Sequence, residues 1–333
     1  MSTRPQEAPS ARHPTPATDH VLEPPPGGDA SGTVRRRIRP VSEVFGPHGR
    51  RFLLTAAIVT LVFANPWVAL FRGAMADALY SYAVLIPYVS IWLIWQIHGT
   101  PGPKGSRPAP AAGILLLFAA AACAAGGILA RRSGWIVSPA SWLTTQIGAW
   151  VIAIWGTAFL HLGGTWIRER VFALAFLSFT VPFPDPVVAA IEAGLQSASA
   201  TASDWLFSLS GTPYLRDEMV FWLPNIRINV APECSGIRST LVLVITGILG
   251  AHLLLARWYH RLAVVAVILP LGVFRNALRI LTLTLLSVHV DPGIMNSALH
   301  KRGGPLFFAV SLIPLFLMFW WFGRRERKQR RAP

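Results

Sequence analysis

Charged side chains are scarce in this chain: Asp, Glu, Lys and Arg together make up 14% of its 333 residues, against 53% hydrophobic. A soluble domain carries about a quarter charged residues. That scarcity, with a mean hydropathy of +0.48, excludes an ordinary soluble fold. Cysteine is nearly absent too: Cys123 and Cys234 are the only two, in unlike contexts, which rules out a disulfide framework. There is no HExxH and no Cys/His cluster at ligand spacing, so a metal site is not expected. Walker A, GxSxG and dinucleotide-binding fingerprints are also missing. The first fifty residues lack an early apolar core, so no cleavable signal peptide is expected.

What the sequence does have is long apolar runs, several of about 18 residues or more, each enough to cross a bilayer core of about 30 Å. They predict an all-α polytopic membrane protein with eight helices, at 52–71, 79–97, 111–130, 141–163, 171–191, 235–256, 262–286 and 305–323. "TVPFPDP" (180–186) must end or kink the fifth. The transmembrane domain is expected over 47–323, between a disordered Pro-rich basic tail (1–46) and a basic tail (324–333). Its one long connection, 192–233, contains "IEAGLQSASATASDWLFSL", which suits a helix lying at the interface. "EMVFWLPNIRINV" follows and reads as a short hairpin.

The net charge of +15 flanks the apolar runs, in "RRRIRP", "HGRR" and "RRERKQRR". Anchoring by basic loops accounts for it without nucleic acid. The basic residues divide about eighteen to seven between the two sides, which predicts both termini cytoplasmic. That orientation sends three reactive residue types to the extracytoplasmic side. Cys234, in "APECSGIRST", sits at the mouth of the sixth helix, where backbone N–H groups and the helix dipole favour thiolate. The donors around Ser235 and Gly236 suit an oxyanion. Cys123, in "FAAAACAAGG", reads as a packing residue. Arg275 and Arg279, in "VFRNALRILTLTLL", share one helix face with Asn276 beside them. Intramembrane arginines face the bundle interior and carry functional partners. His300, in "SALHKRGGPLFF", is on the side where a cysteine nucleophile needs an acid/base; His289 competes for that role, while His252 and His260 lie at the opposite end.

Taken together, "APECSGIRS", "FRNALRI" and "LHKRGGPLFF" resemble the Cys, Arg and His motifs of the exosortase/archaeosortase family of membrane cysteine transpeptidases. The resemblance extends to "YSYAVLIPYVSIWLIW", "FLSFTVPFP" and the segment 195–236. It implies Cys234 as nucleophile, His300 as acid/base and one arginine of "RNALR", Arg275 or Arg279, in catalysis, with no cofactor. Many exosortases have His-Gly where this chain has Tyr82 and Ala83, which leaves the subfamily open. The implied partners are the bilayer and secreted proteins ending in a sorting motif such as Pro-Glu-Pro, a membrane helix and a basic cluster. The implied location is the cytoplasmic (inner) membrane, with the active site outside. Transfer and hydrolysis share these residues. A non-catalytic transporter or scaffold for surface-polymer export, with arginines binding an anion, is the alternative.

Overall fold

A computed structural model describes residue 45 and residues 48–76, 78–96, 107–223, 226–230, 235–291 and 304–331. Ten α-helices and three short strands are seen among them. The expected tail 1–46 lies outside the described residues apart from Phe45, which stacks against Phe52 and Trp166.

The first expected span is broken. α1 (Gly49–Val62) and α2 (Ala64–Ala76) meet at Phe63 with a bend of 67°. Pro66 explains the break, because it has no N–H to give residue 62 and its ring crowds that carbonyl. The second expected span is shorter than the sequence suggested. A 3-10 turn (Ala78–Tyr80) and turns bonded Ala83 N–H to Tyr80 O (3.0 Å) and Leu85 N–H to Tyr82 O (3.0 Å) precede α3 (Ile86–Gln96). Eleven residues make about 16 Å of helix, too little to cross alone.

α4 (Pro110–Arg132) and α5 (Pro139–His161) form an antiparallel pair close to the expected bounds. Ser138 caps α5, its Oγ accepting the N–H groups of Ala140 (3.1 Å) and Ser141 (3.3 Å). The pair packs through small residues: a Cβ on Gly113 would lie 2.7 Å from Leu160 N and 2.8 Å from Gly156 O. α5 is the most buried of the candidate spans, and α1, α2 and α6 pack around it.

The expected fifth span is instead the start of a long bent pair. α6 (Gly163–Phe176) runs into a 3-10 turn (Leu177–Thr180), and α7 (Asp185–Ser210) leaves at 94°. Pro182, Pro184 and Pro186 force the break, and Thr144 Oγ1 on α5 pins it by donating to Pro182 O (2.8 Å). The helix expected at the interface after residue 191 is therefore the continuation of α7.

After α7 comes a three-stranded antiparallel sheet, β1 (Leu215–Asp217), β2 (Val220–Leu223) and β3 (Ile226–Asn229), in that order. The expected hairpin is β2–β3, with Phe221 opposite Ile228 and Trp222 opposite Arg227. Alternate side chains, Phe221 and Leu223 from β2 and Ile228 from β3, join Val230 in packing on Ala200 and Phe207 of α7.

α8 (Ile237–Leu254), α9 (Trp258–His289) and α10 (Gly304–Arg331) complete the bundle. Ile280 of α9 closes the core beneath the sheet. Five helices among the described residues are long and apolar enough to span a membrane, and seven if each bent pair is one span. The expected eight full-length spans are not all seen among the described residues, mainly because α3 is short.

Candidate functional site

The crossing of α8 and α9 builds the site. Gly272 of α9 lies under Thr240 of α8, where a Cβ would come within 3.0 Å of Thr240 Oγ1. That close approach carries the start of α8 onto the next turn of α9. Gly236 precedes the first helical residue in a left-handed conformation (φ +73°, ψ 15°). A Cβ there would stand 2.9 Å from Arg275 Nη2 and 3.1 Å from Asn276 Oδ1. Glycine is needed at 236 on both counts, conformation and space.

The turn is well satisfied. Gly236 O accepts the N–H of Thr240 (3.0 Å), the hydroxyl of Ser239 (3.1 Å) and Arg275 Nη2 (3.5 Å). The Ile237 N–H donates to Ser235 Oγ (3.4 Å). Ser235, Arg275 and Asn276 are 2%, 5% and 2% exposed, so a guanidinium and an amide lie in the interior against a backbone turn. Arg275 has no carboxylate partner among the described residues. Arg279, one turn further along α9, is half-buried beside Ile280 and so level with the sheet.

α7 supplies what the sequence reading missed. Asn276 Nδ2 donates to Ser199 Oγ (3.0 Å), and Gln196, one turn before Ser199 on the same face, donates through Nε2 to Val230 O. Val230 is held a second time by its N–H to Met219 O (2.9 Å). Segment 231–234 is thus flanked on one side by a residue tied to α7 and on the other by a turn seated on α9. A recurring small-residue pattern did advertise this face: Ser199, Ala200, Ser203 and Phe207 are its buried residues.

Of the expected site residues, the structure brings together Ser235, Gly236, Arg275 and Asn276, and sets Arg279 one turn away. Cys234 and His300 lie outside the described residues; Cys234 is joined to Ser235 by one peptide bond. α8 begins at Ile237, two residues later than expected, so three positions separate Cys234 from the first helical residue. Cys123 is half-buried with its thiol near Thr145 O (3.6 Å), His289 is an exposed terminal residue of α9, and His252 stacks on Phe172 at 3.5 Å. An apolar cavity of about 640 Å³ among α1, α2, α3, α5 and α6 shares no lining residue with the site.

The sequence model of the transmembrane exosortases matches residues 67–317, about three quarters of the chain. The chain belongs to the exosortase family. The matched region runs from within α2 to the middle of α10, and takes in Ser199, Cys234, Arg275, Arg279 and His300. No curated protein and no solved structure matches with significance. Within the matched region the buried Arg275 and Asn276 side chains pack directly against the Gly236 turn.

Proposed function

We propose that this exosortase-family protein is a membrane cysteine transpeptidase acting on the C-terminal sorting segments of secreted proteins. One observation supports the reading: the turn that follows Cys234 in sequence is seated directly on Arg275 and Asn276, one turn of α9 from Arg279. The Cys234 thiolate attacks the scissile carbonyl carbon, and the carbonyl electrons move onto oxygen. Arginine and backbone N–H groups hold that oxyanion. Collapse breaks the C–N bond, His300 gives its proton to the leaving amine, and a thioester remains on Cys234. An acceptor amine, or water, then attacks the thioester and frees the thiolate. No step calls for a cofactor.

The arginines divide the work in this reading. Arg275, in contact with Gly236 O, positions the cysteine turn. Arg279, half-buried one turn beyond, faces the substrate carbonyl. The charge bias of the basic loops supports an orientation with this end of the bundle outside the cytoplasm, and the reading puts the protein in the inner membrane, where a secreted protein's tail presents its motif. The experiment is processing in cells that carry a cognate tailed protein. Cys234→Ala at wild-type membrane levels is expected to leave the tail uncleaved. Normal tail removal by that variant would falsify the enzyme reading and favour an anion-binding export scaffold.

A further inference from the structure

The far end of α9 holds a second cavity, of about 650 Å³, where the last turn of α8, the start of α9 and the tail of α10 converge. Its wall is of two kinds. Leu254, Phe319 and Trp320 supply an apolar side, and Arg261 and Arg327 supply two guanidinia.

Among the described residues no free carboxylate neutralises the cationic side. Glu326 is the one carboxylate among the lining residues, and it is buried and fully engaged elsewhere. Its oxygens accept the N–H of Ala256 (2.8 Å), the N–H of Arg257 (3.0 Å) and a hydrogen bond with His260 Nδ1 (2.7 Å). Arg261 spends two of its five donors on the last carbonyls of α8, Leu255 O (2.9 Å) and His252 O (3.5 Å). Arg327 bonds to its own helix, through Nε to Gly323 O (3.2 Å). Among the described residues neither guanidinium meets a carboxylate.

The depth is that of a membrane surface. Arg324 lies over Trp320 at 4.4 Å and Arg325 over Trp321 at 3.8 Å, and Trp258 and Tyr259 are exposed at the same corner. Aromatic belts with neighbouring basic residues mark the bilayer interface. A water-soluble anion would match the guanidinia and waste the apolar wall; a neutral lipid would do the reverse. A headgroup with a phosphate and an attached acyl chain matches both, and basic pockets between membrane helices hold such headgroups.

We infer that this cavity holds one anionic phospholipid, its phosphodiester between Arg261 and Arg327 and an acyl chain along Phe319 and Trp320. The lipid joins the α8–α9 corner to α10 and braces the helix that follows residues 292–303. This inference does not depend on the catalytic reading.

The test uses the full chain in a neutral detergent, with thermal unfolding and native mass spectrometry as readouts. Dioleoylphosphatidylglycerol is expected to raise the midpoint and give a one-to-one adduct, and dioleoylphosphatidylcholine and sn-glycerol 3-phosphate to do neither. Arg327→Gln, at an exposed position, should weaken phosphatidylglycerol binding about tenfold, and Arg261→Gln with Arg327→Gln more, the unliganded midpoint of the single variant staying near wild type. Arg132→Gln, at a basic position outside the cavity, should change nothing. Equal stabilisation by phosphatidylcholine, undiminished binding in Arg327→Gln, or equal weakening by Arg132→Gln would each overturn the proposal. So would full stabilisation by glycerol phosphate alone, which would make the cavity a site for soluble anions.

Discussion

The start and the middle of α9 solve a similar problem in opposite ways. At both, a buried polar side chain stabilises a backbone corner where the chain enters a helix. At the His260 end the side chain is Glu326, whose carboxylate meets two backbone N–H groups and an imidazole at 2.7–3.0 Å. That carboxylate is fully paired, and the corner is a joint. At the middle of the helix Arg275 reaches Gly236 O at 3.5 Å and meets no carboxylate among the described residues. A buried guanidinium left so lightly engaged is costly to keep for stability alone. In the proposed reading the difference separates a saturated structural joint from a turn positioned for chemistry.

Charge-conserving changes give the largest expected effect on that comparison. Arg279→Lys should lower tail processing by about 10²–10³, the usual cost of one lost oxyanion donor, while substrate still associates. Arg275→Lys should impair association and processing together, because a point-charge ammonium does not hold the turn as the planar guanidinium does. Crosslinking of substrate to each variant, alongside a cleavage assay, separates the two. Equal behaviour of both variants would dissolve the division of labour.

Gly236→Ala attacks the same corner through the backbone. The new methyl must share space with Arg275 Nη2, at 2.9 Å, in a left-handed conformation that costs about 1–2 kcal/mol. Displacing a reacting group by about an ångström can cost 10²-fold in rate, so processing should fall by about that factor in protein that still folds. Near-normal cleavage would mean that the turn and Arg275 move together without consequence.

How much of this was legible in the sequence follows from which interactions are local. Hydropathy marked α4, α5, α8 and α9 to within a few residues, and the start of α10 but not its basic end at Arg331, because burial in lipid demands continuous apolar runs. It could not foresee that α3 starts only at Ile86, where turn bonds around Tyr80 and Tyr82 replace a first helical stretch. It read α7 as a separate interfacial piece because the prolines at 182–186 obscured how far the helix runs beyond them. The cysteine, arginine and histidine motifs stood out as chemistry out of place in apolar surroundings. Ser199, Gln196 and Glu326 did not, since an ordinary serine, glutamine or glutamate acquires meaning only from its partner across the fold.

Glu326→Ala probes the saturated corner. It removes three hydrogen bonds to one carboxylate, and bonds to charged groups are worth about 1.5–3 kcal/mol each before relaxation. The thermal midpoint should fall clearly. Cleavage by the folded fraction should not change. Loss of cleavage in folded Glu326→Ala protein would show that the two corners communicate along α9, and the contrast between a joint and a site would fail.

The smallest effect is expected at Ser199, where the outcome discriminates most finely. Its hydroxyl is buried and accepts from Asn276 Nδ2 at 3.0 Å, linking α7 to the helix that carries Arg275. Ser199→Ala deletes that acceptor and costs about 1 kcal/mol. If α7 serves only as packing, the midpoint falls slightly and processing by folded protein is untouched. If α7 sets the position of Asn276 under the cysteine turn, turnover falls several-fold at unchanged substrate affinity. Ser199→Thr, which keeps the hydroxyl, then recovers it. Gln196→Leu should act in the same direction, because it releases Val230 at the other flank of the same segment. A defect in Ser199→Ala that Ser199→Thr does not rescue would assign the loss to volume at a tight helix contact, and Asn276 would then be held by the fold around it without help from α7.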